Sequence, residues 1–538
     1  MSAPNMLDSL SDNIVIDADK CIFCGNCVDK CILDNLRMTL ATCRQACPLG
    51  LNCQGYVQLI ARGEEAKAME VVRERLPFPG ILGRICSQPC EDGCGHQDTD
   101  GDAISIRALK RYLDDQFKDQ EPSLPEMKKA SGKQVAIIGS GPAGLIAAFD
   151  LTVAGHQVTI YDRESSPGGM MRWSIPVFRL PQDVVERELK LLERMGIDFQ
   201  CNVAIGKDKT LTELDDEFDA VLVAAGLPGH LELGIKGEDR AGVFHGLPFL
   251  KSVRDNDNPE VGKNVVVIGG GNVAVDVAQT SYRLGAESVK VVCLEARDKM
   301  PAFNKAIFEA ISENVSLECA WGNPTLTFEE DQLKGAHFEA CTSVFNKAGQ
   351  FNPEFDGTRT QYIEADTIIV AIGQKMDESL FASSALKPES LFKVNEVTMQ
   401  TSVEKFFAAG DFVSGPSSLV SAMASGKEAA ESINRYLLGT PLAYGRAYGG
   451  PVLTNFEIDR SFGSSDSRMN LPHYQFKGKG DFEEIETGVV REVARREAKR
   501  CHSCGIPFGR YRTCWFCLPC EVECPTGALW VDIPYLLR

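Results

Sequence analysis

Two glycine turns of one pattern limit what this chain can fold into, because each joins a short apolar run to a helix and then to a second apolar run ending in an acid. The first is KQVAIIGSGPAGLIAAFDLTVAGHQVTIYD, where Gly139 and Gly141 permit a tight turn and Gly144 lets the helix pack closely on the strand. Pro142 and Ala143 open a helix whose amino-terminal N–H groups suit an anion, and Asp162, followed by Arg163, stands where a carboxylate accepts ribose hydroxyls. The second copy, KNVVVIGGGNVAVDVAQTSYRLGAESVKVVCLE, repeats the plan with Gly269, Gly271, Asn272, Val273 and Ala274, and ends on Glu295. Alanine in the third place is an accepted variant of this dinucleotide fingerprint. From Gln134 to about Leu438, β-branched runs, glycine turns and helical stretches alternate as parallel βαβ units require.

Cysteines supply the second constraint. Of 20, ten lie between Cys21 and Cys94 and six between Cys501 and Cys524. CIFCGNCVDKC holds Cys21, Cys24, Cys27 and Cys31; CRQACPLGLNC holds Cys43, Cys47 and Cys53; GRICSQPCEDGC holds Cys86, Cys90 and Cys94. CHSCG and CWFCLPCEVECPTGAL supply Cys501, Cys504, Cys514, Cys517, Cys520 and Cys524. The run CxxCxxCxxxC suits a [4Fe–4S] cubane, and its fourth cysteine commonly reaches a neighbouring cluster. Ile32 replaces the proline usual after that fourth cysteine in the first run. Zinc also takes paired CxxC units, but usually with a longer loop between them. Ten amino-terminal thiolates complete two cubanes with two left over, and the carboxyl-terminal six complete one unless another ligand joins them. About three or four clusters are therefore expected, with the pairing open. Cys201, Cys293, Cys319 and Cys341 read as incidental thiols, and His96 and His502 as surface residues.

At 538 residues several domains are expected. No run approaches the roughly 20 apolar residues of a membrane span, and the acidic start MSAPNMLDSLSDNIVID lacks the features of a signal peptide, which places the chain in the cytoplasm. A net charge of −19 argues against nucleic acid and for protein partners. GYVQLIARGEEAKAMEVVRERL and EEIETGVVREVARREAKR read as helical, EPSLPEMKKASGK as a linker, and residues 440 to 490 as a surface-hugging connector.

The fingerprints, together with SSPGGMMRWSIPVFRLP at 165–181, VLVAAG, TIIVAIG and KFFAAGDFVSGPSSLVSAMASGKEAAESI at 405–433, resemble the two-dinucleotide-binding-domain flavoproteins. Over about residues 40 to 440 the chain is similar to the group of the glutamate synthase small subunit. The resemblance implies FAD on the first fingerprint and NAD(P)H on the inserted second, with Gly169, Arg179, Gly226, Gly373, Gly410 and Asp411 as further nucleotide contacts. It places Pro181 and Met300–Pro301 near the nucleotides and implies a helical domain whose two cysteine runs interleave around two clusters. NADPH-using relatives carry arginine pairs where this chain has LEAR. Glu295 favours a free 2′-hydroxyl, hence NAD(H) over NADP(H), although Arg297 follows two residues later.

Nicotinamide moves two electrons, a cubane one, and a flavin converts between them. The expected protein is the electron-transfer subunit of a hetero-oligomeric oxidoreductase, partnered by other subunits or ferredoxin, with no catalytic side chain beyond those that orient FAD. Alternatives are an NADPH-dependent glutamate synthase small subunit and a redox-sensing, NADH-binding adapter with structural clusters. The fold expected is α/β: two Rossmann-like FAD- and NAD(P)-binding domains, preceded by an α-helical iron–sulfur domain and followed by a ferredoxin-like one. Boundaries are placed at 1–120, 134–245, 246–375, 376–440, 441–490 and 491–538.

Overall fold

The apolar runs after Lys133 become strands buried on both faces. In the first sheet the order is Phe406–Ala408, Ala220–Val223, Gln134–Ile138, Gln157–Tyr161 and Asp198–Gln200, with every neighbour parallel. Parallel neighbours need helical crossovers that cover both faces, which is why these strands read as continuous Val, Ile and Ala rather than as alternation. The second sheet repeats this design with Val315–Cys319, Ser288–Cys293, Asn264–Ile268, Thr367–Val370 and Val243–His245. The chain leaves the first sheet after Ala220–Val223, builds the second, and returns at Phe406, so one unit is inserted in the other. A three-stranded antiparallel sheet, Trp321–Glu329, Gln332–Phe345 and Phe351–Glu364, adds to the inserted unit. Its first hairpin turns through Glu330 and Asp331, both at positive φ, as a two-residue turn that follows strand twist requires.

This computed structural model describes residues 8–9, 11, 13–17, 20–21, 26–31, 36–37, 41–97, 101–257, 259–382, 393–443, 446, 458, 463–504 and 514–533. Cys24 lies outside them. Among the described residues no helix is long and apolar enough to cross a membrane.

The amino-terminal region is helical. The stretch from Gly55 to Leu76 forms two helices, Cys53–Arg62 and Glu65–Arg73, because Gly63 takes a left-handed φ of 81° and its N–H donates back to Ile60 O. That is the usual glycine ending of a helix. The helix Ile106–Phe117 is buried along most of its length. Tyr56, Leu76, Leu109 and Leu113 belong to one hydrophobic core with Val135, Leu145 and Ile433 of the first nucleotide unit. The cysteine-rich helices and the first glycine turn thus pack as one body.

Both chain ends fold back onto this body. Only Arg491–Lys499 of the carboxyl-terminal helical stretch is helix, and it packs on Cys53–Arg62. Glu497, fully buried, accepts from Ser105 N–H (2.8 Å), Met469 N–H (2.7 Å) and Arg500 (2.8 Å). Leu529–Val531 pairs antiparallel with Ile14–Ile16, and the short helices Asn26–Lys30 and Pro519–Val522 pack together. Segments read from sequence as belonging to separate terminal domains therefore share one small sheet and core.

The connector departs from its surface reading. Met469 and Leu471 are buried in the common core, and two carboxylates of EEIET, Glu484 and Glu486, enter ion pairs. Glu484 pairs with Arg84 and Arg111, each at 2.9 Å. Glu486 takes both nitrogens of Arg107 at 2.8 Å and also meets Lys305 of the inserted unit. Its charges at two- and three-residue spacing look like a solvated face, but they answer arginines buried on the helical domain. Burial alone would raise the Glu486 carboxyl, yet Arg107 and Lys305 outweigh it and hold the group at about 2, against an ordinary 4.5. This contribution to stability is complete above pH 4.5 and is lost as pH falls toward 2, and such a shift is worth about 3 kcal/mol. Glu486→Gln should lower the thermal midpoint at pH 7 and flatten its fall between pH 4.5 and 2, measured by differential scanning fluorimetry across that range.

Candidate functional site

Each nucleotide turn is shaped by what a side chain would strike. A Cβ on Gly139 would lie 2.5 Å from Ala224 O, and one on Gly144 would collide with Gly139 O, so helix Pro142–Val153 sits directly on the strand end. Gly141 and Gly226 have nothing within 4 Å of such a Cβ. These open positions are where backbone can approach a pyrophosphate. A Cβ on Gly169 would stand 2.7 Å from Gly141 Cα, which brings the SSPGG loop against the same turn. Asp162 Oδ2 accepts from Ser140 N–H (2.8 Å) and Ser140 Oγ, while Oδ1 accepts from Glu164 N–H (2.9 Å). Each oxygen has further acceptor capacity for a ribose hydroxyl. Gly410 lies against Ala143, its N–H donating to Ser425 Oγ at 3.0 Å. Asp411 follows, its carboxyl raised by burial despite a 2.6 Å hydrogen bond from Ser417. Asp162, Gly169, Gly410 and Asp411 thus gather with Gly141, and the donors and open backbone fit an FAD. Arg163 instead pairs with Asp377 at 2.8 Å.

In the inserted unit, Gly269 packs on Ala371 O, Gly271 is open, and Ala274 is fully buried behind the turn. Asn272 Oδ1 accepts from Phe303 N–H (2.9 Å), and a Cβ on Gly270 would stand 2.7 Å from Glu295 Oε2 and 3.3 Å from Pro301. Glu295 therefore lies over the glycine turn, while Arg297 lies over the Phe308 ring, 5.6 Å from its centroid. Val273 packs toward Gly246, and Gly373 toward Leu231. Arg179, from the first unit, pairs with Asp276 (2.6 Å) and Glu309 (3.4 Å) of the second and donates to Gln279 (2.8 Å). It ties the two units together beside the second helix.

The thiols gather in groups, most of them buried or half-buried. Cys53 lies within hydrogen-bonding reach of Cys43, Cys47 and Cys90. Its contact with Cys47, against the effect of burial, holds the Cys47 thiol down at about 6. Lys110 is 4% exposed, and although burial would neutralise it, the charge of Cys86, Cys90, Cys47 and Cys53 keeps its pKa raised. A buried ammonium kept charged by thiolates fits an anionic cluster. A second group, Cys43, Cys53, Cys94, Cys501 and Cys504, lines one cavity. Cys504 is pushed up to about 12 by burial and by Cys501 and Cys94. At the joined ends, Cys27, Cys514 and Cys520 are buried in one core that Cys31 and Cys524 flank. Among the described residues no three His, Cys, Asp or Glu side chains converge as closely as a single metal ion would need. A cubane, binding each thiolate through a different iron, has no such requirement.

One reading from sequence is corrected. His96 and His502 are not surface residues: they are 3% and 5% exposed, stacked with centroids 4.5 Å apart beside the cavity. Lys110 escaped notice, although it occupies the apolar stripe Ile106, Leu109, Lys110, Leu113, where a lysine in place of an aliphatic signals a buried anion.

Residues 133–426 match the family described as pyridine nucleotide-disulphide oxidoreductase, and residues 5–122 match the one described as dihydropyrimidine dehydrogenase domain II, 4Fe-4S cluster. The chain is 31% identical to the NADP(+)-dependent formate dehydrogenase subunit beta of Moorella thermoacetica, over 86% of this chain and 70% of that one. It is 32% identical to the glutamate synthase [NADPH] small chain of Bacillus subtilis, over 73% of this chain and 86% of that one. Its structure resembles Mycobacterium tuberculosis FprA in complex with NADPH, with a TM-score of 0.51 and 16% identity over 57% of this chain and 85% of that one.

Two substitutions separate packing from ligand approach at the first turn. Gly144→Ala should force the helix off the strand, cost about 1–3 kcal/mol and lower FAD per chain. Gly141→Ala, at a φ of −74° with open space around it, should keep the thermal midpoint of the flavin-free chain within about 0.5 kcal/mol of its parent yet weaken FAD retention. Flavin absorbance after gel filtration and a melt of the flavin-free chains check both.

Proposed function

Because the chain belongs to the pyridine nucleotide-disulphide oxidoreductase family and carries a 4Fe-4S domain beside it, we propose that it is the electron-transfer subunit of a multisubunit oxidoreductase, linking NAD(H) and FAD to [4Fe–4S] clusters. It is an FAD-dependent NAD(P)H oxidoreductase. The shared core carries the reading: the cysteine-rich helices and the first glycine turn pack as one body, so the thiols stand beside the flavin cradle. When bound, nicotinamide supplies an electron pair, a cubane accepts single electrons, and flavin joins the two regimes.

The chain's own residues do the positioning. Gly139, Gly141 and Gly144 hold the first pyrophosphate at a helix amino terminus, and Asp162 takes the ribose. Gly169, Gly226, Gly410 and Asp411 enclose the rest of that cradle. Gly269, Gly271 and Ala274 would repeat the arrangement for the nicotinamide coenzyme, and Arg179 bridges the units beside that second site. Sixteen clustered cysteines provide ligands for three or four cubanes, each needing about four. Cys517 is exposed, as are Trp515 at 67% and Val522 at 79%, which supports the carboxyl-terminal set as the exit toward another subunit or ferredoxin. A glutamate synthase small chain reading leaves these terminal sets without a role. The redox-sensing adapter has no observation in its favour.

Coenzyme choice rests on Glu295, which lies over the turn where a 2′-phosphate would be repelled. The Moorella and Bacillus relatives are named for NADP(+) and NADPH, and the dihydropyrimidine dehydrogenase subunit PreT of Escherichia coli, 32% identical over 82% of this chain and 99% of that one, for NAD, so the support for NAD(H) here is Glu295. Glu295→Arg should raise KM for NADH and lower it for NADPH by about tenfold each, each change worth about 1.4 kcal/mol. A parent enzyme that already prefers NADPH overturns the assignment. Anaerobically purified protein should contain about 12 to 16 irons with matching sulfide, and NADH under argon should bleach the flavin band and then reduce an added dye. Zinc in excess of iron after reconstitution, or bleaching without onward transfer, defeats the proposal.

A further inference from the structure

We propose that Cys43 and Cys94 of the helical domain and Cys501 and Cys504 of the carboxyl-terminal segment hold one [4Fe–4S] cubane between them. The inference rests on the reading that these thiols bind clusters. It adds a metal site assembled from ligands more than 400 residues apart in the chain, two of them beyond residues 5–122.

Five thiols line the cavity: Cys43, Cys53, Cys94, Cys501 and Cys504. One of them has a competing place. Cys53 lies within hydrogen-bonding reach of Cys47 and Cys90 and shares one buried core with them and Cys86, the group of four near Lys110, and Cys47, Cys86 and Cys90 lie outside the cavity. A cubane takes four ligands. Cys53 must therefore go to the Lys110 group, since three thiols remain there without it, and the cavity keeps the other four. The carboxyl-terminal pair is held in place by contacts of its own. Gln58 donates to Cys501 O (3.1 Å), Gln54 donates to Ser503 Oγ (3.0 Å), and a Cβ on Gly95 would stand 3.4 Å from Cys504 Sγ. The stacked His96 and His502 close one side.

Iron counting in the full-length protein tests this without reference to activity. Cys504→Ser and Cys43→Ser should each lose about four irons and four sulfides per chain. The double variant should lose no more than either, because both remove the same cluster. Cys53→Ser combined with Cys504→Ser should instead lose about eight. Losses that add for Cys43 and Cys504, or no loss from Cys504→Ser, overturn the pairing. Retained FAD certifies that a variant is folded; where Cys43→Ser lacks it, Cys94→Ser takes its place with the same expectation, and Cys501→Ser with Cys504→Ser repeats the test on one segment. Wild-type protein holding zinc in place of iron refutes the cluster reading itself, a result separate from any additivity.

A different observation carries a second assignment: Cys31 completes the cubane of Cys514, Cys517 and Cys520. Ile14–Ile16 and Leu529–Val531 pair in register, Asp17 N–H donates to Ala528 O (2.7 Å), and Cys31 packs against the core that buries Cys514 and Cys520. The fourth cysteine of such a run serving the neighbouring cluster is the arrangement of two-cluster ferredoxins, here built from opposite chain ends. Cys31→Ser and Cys520→Ser should each cost about four irons and together no more. Additive losses overturn it.

Discussion

The buried carboxylate of Glu497 decides where the carboxyl-terminal segment sits. It has no solvent to satisfy it, so its two oxygens must collect the backbone N–H groups of Ser105 and Met469 and the guanidinium of Arg500. Arg500 in turn donates to Asp102 O at 2.9 Å and Ala103 O at 3.4 Å. Removing one partner of such a pair leaves an uncompensated charge and costs about 3–5 kcal/mol, whereas an apolar pair of the same shape would often serve stability as well. What the ionic pair adds is position. The helix Arg491–Lys499 has one docking register on the helical domain, and Cys501 emerges at its end beside Cys43 and Cys94.

The same logic extends through the connector. Glu484 and Glu486 answer Arg84, Arg107 and Arg111 on the buried helices, Arg468 answers Glu91, and Lys305 carries the network into the inserted nucleotide unit. Arg283 adds a second tie, paired with Glu313 at 2.6 Å and stacked over Phe178 of the first unit and Phe476 of the connector. Electron transfer falls steeply with distance, so the cluster domain and both nucleotide units need fixed separations. Apolar surfaces alone tolerate sliding. Directional ion pairs between three regions do not.

What could be read from the sequence follows from how local each signal is. The two nucleotide units were legible because a strand, glycine turn and helix specify one another within about thirty residues. The antiparallel sheet from Trp321 to Glu364 was not foreseen: its last strand is largely exposed, and register shifts break the alternation of the other two. Cysteine identity was legible and cysteine grouping was not. CHSCG reads as a fragment of its own neighbourhood, since nothing local shows that Gln54 and Gln58 wait for it. His96 and His502 were misplaced for the same reason, since what buries each of them includes the other, about 400 residues away in the chain. Arg179 was expected near the nucleotides; what the sequence hides is that its partners are Asp276 and Glu309 on the other unit.

Ligands divided between chain ends also order the assembly. A site of Cys43, Cys94, Cys501 and Cys504 cannot form until residue 504 has been made and the helix before it has docked, while the Lys110 group needs nothing beyond residue 110. Both nucleotide units lie between these ligands in the chain, and the first closes its own sheet only when the chain returns at Phe406. Metal binding energy is folding energy where ligands converge only in the native state. The last clusters then stabilise the closure rather than the parts, and a chain lacking its final segment keeps its flavin fold but leaves the helical domain with an uncovered, incomplete thiol set. Joining the ends through metal makes the protein a closed loop of domains, in which the redox groups themselves secure the geometry through which electrons pass.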